Sequence, residues 1–186
     1  MSTIAHLSLA QYDQMIAAGV FDQRERLRLE FIEGEIREMT PIGPTHEVIV
    51  DALNDWSMGS LARGKVRVRI QNSIGLLQHE SAPEPDVVWV ARRDYSRKRP
   101  SAADVLLLIE VADSSLAYDA GEKADLYAAA GIADYWVVNV ADRSIEVRRD
   151  PVGGRYRSLK THLGDDEVRP LAFPEVALKP ASLWES

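Results

Sequence analysis

Five apolar residues in succession, Val105 to Ile109, are followed at once by Glu110. A run this short and this uniform fits a strand buried on both faces. Asp86 opens a second such run, Val87 to Val90, and Tyr135 to Val140 forms a third, largely apolar one. Strands of this kind must be covered on both sides, so the chain needs a central sheet with further layers above and below it. A carboxylate at the end of such a run is costly to desolvate unless its charge is compensated. Glu110 therefore marks the place where the fold and any chemistry meet.

The flanking segments supply the layers. Ser8 and Gln11 have the spacing of a capping box for a helix from Leu9 to Ala18, ended by Gly19. Leu27, Leu29 and Phe31 alternate with Arg28, Glu30 and Ile32, and Glu33-Gly34 reads as a hairpin turn returning through Glu35 to Met39. After the break from Thr40 to Pro44, Thr45 is placed to cap a helix from His46 to Leu61, with Val48, Ile49, Ala52, Leu53 and Trp56 as its apolar face. Strands are expected at Lys65–Ile70 and Ser73–Gln78, and a helix at Tyr118–Ala130 ended by Gly131. Ser144–Arg149 and Tyr156–Lys160 flank a loop from Asp150 to Gly154. The tail from Glu167 is broken by prolines and is expected to wrap the surface. The order α-β-β-α-β-β-β-β-α-β-β-β predicts a mixed α/β (α+β) protein. Its central mixed sheet is flanked by helices, with hairpins near both termini. The phosphate loops of doubly wound nucleotide folds are absent.

Bulk properties narrow the class. The 186 residues suit a single domain spanning 1–186, with its core at about 7–176. There is no cysteine, which removes disulfides and thiolate metal sites and fits a cytoplasmic protein. No long apolar stretch suggests a membrane span, and the first residues lack the order of a signal peptide. A net charge of −7 argues against a broad nucleic-acid-coating surface but leaves room for a local basic patch. Arg92, Arg93, Arg97, Lys98 and Arg99 form one candidate, which reads equally as a solvated loop.

Asp86, Glu110 and Lys123 are the residues whose types fit one chemistry. Two carboxylates on adjacent strands can hold a hard divalent ion, and an ammonium beside them can stabilise a phosphoryl group under attack. The residue two beyond Glu110 on the same strand face is Ala112, so a lysine must come from the following helix. Lys123 stands there, 13 positions after Glu110. The competing reading is a buried Glu110–Lys123 ion pair without metal, or a helical Asp119–Lys123 pair.

The segments Leu29 to Ile36, Met39 to His46, Pro83 to Val87, Leu108 to Ser115 and Asp119 to Trp136 together resemble the Uma2 family, within the PD-(D/E)XK nuclease superfamily. The resemblance extends from Leu7 to Val176. It implies a restriction-endonuclease-like fold and a metal-dependent endonuclease acting on nucleic acid, DNA first. Asp86 and Glu110 would ligate Mg²⁺ or Mn²⁺, and Lys123 would be the superfamily lysine moved off its strand. Ala112 is the departure from that pattern. The resemblance also implies a homodimer.

Four further residues are supporting candidates. Glu30 would add a carboxylate, and Glu35 could do the same. His46, near a helix N-terminus, would approach a phosphate or a carboxylate, or simply pack. Asp113 would bond turn amides. Tyr127, four residues after Lys123, would orient the ammonium or pack. Trp89 and Trp136 read as core, and His6, His79 and His162 as surface. The main rival is a nuclease-fold module that binds or regulates with little catalysis. A hydrolase of small phosphoesters is a third reading.

Overall fold

The computed structural model describes residues 3–22, 28–61 and 64–185. Among them, six strands follow one another in chain order across the main sheet: β3 (Val66–Ile70), β4 (Val87–Ala91), β5 (Val105–Ala112), β6 (Asp134–Asn139), β7 (Ser144–Val152) and β8 (Arg155–Leu163). Strands β5 and β6 pair in parallel, and the other neighbours are antiparallel. A parallel pair needs a crossover. Here it is helical: α3 (Leu116–Tyr118), a π-helical turn (Asp119–Lys123) and α4 (Ala124–Ala129).

Side-chain alternation divides the sheet into two faces. Leu107, Ile109 and Val111 join Trp89, Trp136 and Val138 against helix α2 (Pro44–Ser60) and the C-terminal tail. Leu108 and Ala112 join Val88, Tyr135 and Val137 against Ala124, Leu126 and Tyr127 of α4. Glu110 has the parity of Leu108 and Ala112, so it belongs to the α4 face.

A second sheet packs beside this face. Strands β1 (Leu29–Ile32) and β2 (Glu35–Glu38) are joined by Glu33 and Gly34, whose φ values of 50° and 83° suit a tight hairpin. A Cβ on Gly34 would sit 2.7 Å from the Cβ of His6, so glycine is needed for space as well as for conformation. Helix α1 (Leu9–Ala17) has the expected Ser8–Gln11 capping box, and its Tyr12 stacks on Phe31 at 4.5 Å.

Several expectations need correction. The proposed strand at Ser73–Gln78 is instead a run of isolated bridges and a 3₁₀ turn at Leu77–His79. Its amides turn to other segments: Ile74 N–H donates to the Pro83 carbonyl and Gly75 N–H to the Pro100 carbonyl. Gly43, not Thr45, caps α2, because Pro44 is preset for the first helical position. Val48 points outward from that helix, at 48% exposed. The crossover helix starts at Leu116, earlier than expected, and contains the π turn. Strands β7 and β8 run to Val152 and from Arg155, so the turn is only Gly153-Gly154, both at positive φ. His162 is buried, since β8 folds back to set it opposite Ile145, and His79, in the 3₁₀ turn, is half-buried. Leu27 lies outside the described residues.

Candidate active site

The ends of β4 and β5 are clasped by their own carboxylates. Asp86 N–H donates to Glu110 Oε2 at 3.1 Å, and Val111 N–H donates to Asp86 Oδ2 at 2.9 Å. His46, in the first turn of α2, brings Nε2 to 3.1 Å from Asp86 Oδ2. Gln71 Nε2 donates to Asp86 Oδ1 at 3.2 Å. On the other acid, Glu110 Oε1 accepts from Lys123 Nζ at 3.1 Å and from Tyr127 Oη at 2.7 Å. Lys123 is further paired with Glu30 at 2.9 Å and Asp119 at 3.9 Å.

Local structure explains this convergence. Position 110 faces α4 by strand parity. The crossover returns over that face, and its π turn presents both Asp119 and Lys123 inward; such turns recur at functional sites. Tyr127 follows one helical turn later. Glu30 arrives from β1, where its carboxylate also accepts the Glu84 N–H at 2.8 Å. Glu30, Asp86, Glu110, Asp119 and Lys123 are all buried.

Three carboxylates, Glu30, Glu110 and Asp119, therefore surround one ammonium, with Asp86 bonded beside Glu110, and the acids are not alike. Burial pushes Glu110 well above the usual carboxylate range. Lys123 opposes that rise, while Asp86 and Asp119 add to it. Burial also raises Asp119 against the pull of Lys123. For Asp86 burial acts upward too, but the hydrogen bond and charge of His46, with Val111 N–H and Gln71, hold it below its ordinary value. Burial would lower Lys123; Glu110, Glu30 and Asp119 outweigh this and raise it, so the ammonium stays charged. Burial and the Glu110 charge raise Tyr127, which remains a neutral donor. The surroundings thus favour the ionised form of Asp86, while burial favours the protonated form of Glu110.

These groups open into a cavity of about 360 Å³, which Thr40, Pro41 and Ile42 also line. The sequence matches the Uma2 family, described as "Putative restriction endonuclease", over residues 9–181. The chain belongs to the Uma2 family. A crystal structure of "a putative nuclease belonging to DUF820" from Anabaena variabilis ATCC 29413 superposes with a TM-score of 0.67. It covers 88% of this chain and 96% of the other at 15% identity, a likeness of fold. No curated protein matches the sequence.

Within this Uma2 chain, the residues singled out from sequence fall into three groups. Asp86, Glu110 and Lys123 converge, and Glu30, His46 and Tyr127 bond to them directly. Tyr127 serves Glu110 rather than the ammonium. Asp113 stands apart: it is exposed on the cavity wall and makes no side-chain hydrogen bond to a turn amide among the described residues. Glu35 pairs with Arg37 at 2.9 Å, away from Lys123. Of the basic run, Arg93 pairs with Asp104 and Arg99 with Asp13. Asp119 was legible only as a helical partner of Lys123, and Gln71 carried no signal at all.

The donor set suits a hard ion that keeps much of its water. Asp86 Oδ1 and Glu110 Oε2 each accept one hydrogen bond and retain a lone pair. The surplus of carboxylate over ammonium favours a divalent cation. No group of three acid or histidine side chains in ligating geometry exists among the described residues. Two carboxylates alone would make an open site, in which an ion such as Mg²⁺ or Mn²⁺ would keep several of its waters.

Proposed function

We propose that this chain is a divalent-metal-dependent endonuclease that hydrolyses phosphodiester bonds in nucleic acid, DNA first. Asp86 and Glu110 would hold Mg²⁺ or Mn²⁺. The single observation that carries this reading is the meeting of Asp86, Glu110 and Lys123 in one cavity within a nuclease-like family. A bound divalent ion supplies positive charge to the phosphoryl oxygens and makes water easier to ionise.

The chain's own residues divide the remaining work. Asp86, fixed by His46, Gln71 and Val111 N–H, stays ionised and holds position. Glu110 would hold the ion through Oε2, while Lys123 and Tyr127 fix its orientation through Oε1. Lys123 puts its charge where negative charge grows on the phosphoryl group. Glu30 and Asp119 keep that ammonium charged and aimed. The same reading takes the chain as one domain working as a cytoplasmic homodimer. Among the described residues, no helix is long and apolar enough to cross a membrane.

A second reading has its own support. Lys123 is fully occupied by three carboxylates, and the chain carries a net charge of −7. Both suit a nuclease-fold module that binds without cutting. Incubating the protein with DNA and with RNA, in Mg²⁺ or Mn²⁺, separates the two readings. Cleavage by the parent and none by Glu110→Ala is expected; no cleavage of either polymer by the parent favours the binding module.

A further inference from the structure

Among the described residues, three fixed cations line the cavity: Lys123, Arg37 and Arg28. Two are spent on named carboxylates. Lys123 is held by Glu30 and Glu110, and Arg37 by Glu35 and Glu122. Arg28 differs. Both terminal nitrogens of its guanidinium are buried, and neither has a hydrogen-bond partner among the described residues.

A guanidinium is a planar fork of N–H donors with no acceptor. Buried donors left unmatched are uncommon and costly, and one explanation is a ligand that completes them. Glu84 is near enough for its carboxyl group to feel the Arg28 charge, yet the two form no ion pair. The position is informative as well. Met39 N–H donates to the Arg28 carbonyl at 2.8 Å, so Arg28 extends the β1–β2 ladder by one residue. In extended chain, residues 28 and 30 share a face about 7 Å apart. Glu30 holds Lys123, so Arg28 stands one strand step from the residue that holds the ammonium, and it lines the same cavity.

We propose that Arg28 grips a phosphate of the bound nucleic-acid strand, beside the one that lies at Glu110 and Lys123, through a two-pronged guanidinium contact. The chemistry matches: an arginine fork meets two non-bridging phosphate oxygens with charge and geometry together. It also gives an acid-rich cavity a way to accept a polyanion. This inference rests on the nuclease reading, and it names the residue that would bind substrate without holding the ion.

The test uses the full chain, with Arg28→Met and Arg28→Lys beside the parent. Binding of a short fluorescent DNA oligonucleotide and its RNA counterpart is followed in EDTA across a salt series. Melting is followed in inorganic phosphate against chloride at matched ionic strength. Arg28→Met should bind the oligonucleotide about tenfold more weakly, with a salt slope lower by about one. Arg28→Lys should fall between, because it keeps the charge and loses the fork. Phosphate should raise the melting temperature of the parent and not of Arg28→Met. In chloride, Arg28→Met should melt no lower than the parent, since it removes an unmatched buried cation. Equal affinity and salt slope in parent and Arg28→Met overturn the inference and leave the nuclease reading standing. A lower melting temperature with unchanged binding also overturns it, and makes Arg28 a structural partner of Glu84. A parent that binds neither polymer in EDTA overturns the inference, and the cleavage assay in Mg²⁺ or Mn²⁺ decides the nuclease reading.

Discussion

The two faces of the sheet are built on opposite principles, although β5 contributes to both. On the α2 face, Trp56 stacks against Trp89 with ring centroids 5.0 Å apart and lies 5.9 Å from Trp136. Each indole N–H has an acceptor: the Ala177 carbonyl, Ser57 Oγ and Asp134 Oδ1. Apolar burial is the main source of stability there, with all three indole N–H groups satisfied. On the α4 face, one residue along the same strand, Glu110 sits among three further carboxylates with a single ammonium. Replacing such buried charges with apolar groups of similar size is often neutral or stabilising. The acidic face is therefore a weak source of stability, and the packed face opposite offsets its cost.

The comparison sharpens under mutation. Lys123→Met should be the most damaging change on the acidic face, at about 3–5 kcal/mol, because it strands carboxylates that share one counter-charge. Urea unfolding measures it, and a loss under about 1 kcal/mol would mean those acids are not interacting as buried charges. On the packed face, Leu53→Ala should cost roughly 2–5 kcal/mol through the cavity it leaves. Its loss should be the same with and without Mg²⁺, and a metal-dependent loss would break the separation of the faces. Millimolar Mg²⁺ or Mn²⁺ should stabilise the parent by about 2.7 kcal/mol if the ion stands at 100 times its Kd. Asp86→Ala should lose that response, and a response kept in full would move the ion elsewhere.

The smallest effect is on pH. Glu110 has a folded pKa above its unfolded one, so between the two values the folded state binds more protons. Stability then falls as pH rises through that window and recovers on acidification. Asp86 has the opposite sign: its lowered value gives stability that is present above its unfolded pKa and lost as pH falls through the folded one. Comparing the parent with Glu110→Gln by thermal melting across mildly acidic pH isolates the first term. The parent should gain on acidification relative to the variant, and parallel curves would refute the assignment.

The central strands were legible because continuous apolar runs admit few other readings, and the Ser8–Gln11 cap and the Glu33-Gly34 turn are local chemistry. Ser73–Gln78 was misread because its amides bond to segments remote in sequence, which no local pattern records. In the site, Asp86, Glu110 and Lys123 stood out by type and spacing. Glu30 was only weakly marked, since β1 is buried on both faces and its parity tells little. The π turn that brings Asp119 inward leaves no composition signal. Arg28 was visible as one member of an alternating strand, and its unmatched guanidinium appears only in three dimensions.

The most direct test is the rate at which the protein nicks supercoiled plasmid DNA in Mg²⁺ or Mn²⁺, measured for the parent and Glu110→Gln at equal folded concentration. That exchange keeps the shape of the side chain and removes the charge that would hold the ion. The account predicts cleavage by the parent that EDTA abolishes, and a rate at least about 100-fold lower in the variant. Equal rates in the two proteins would contradict it, because Glu110 would then be a buried structural acid and not the centre of the site.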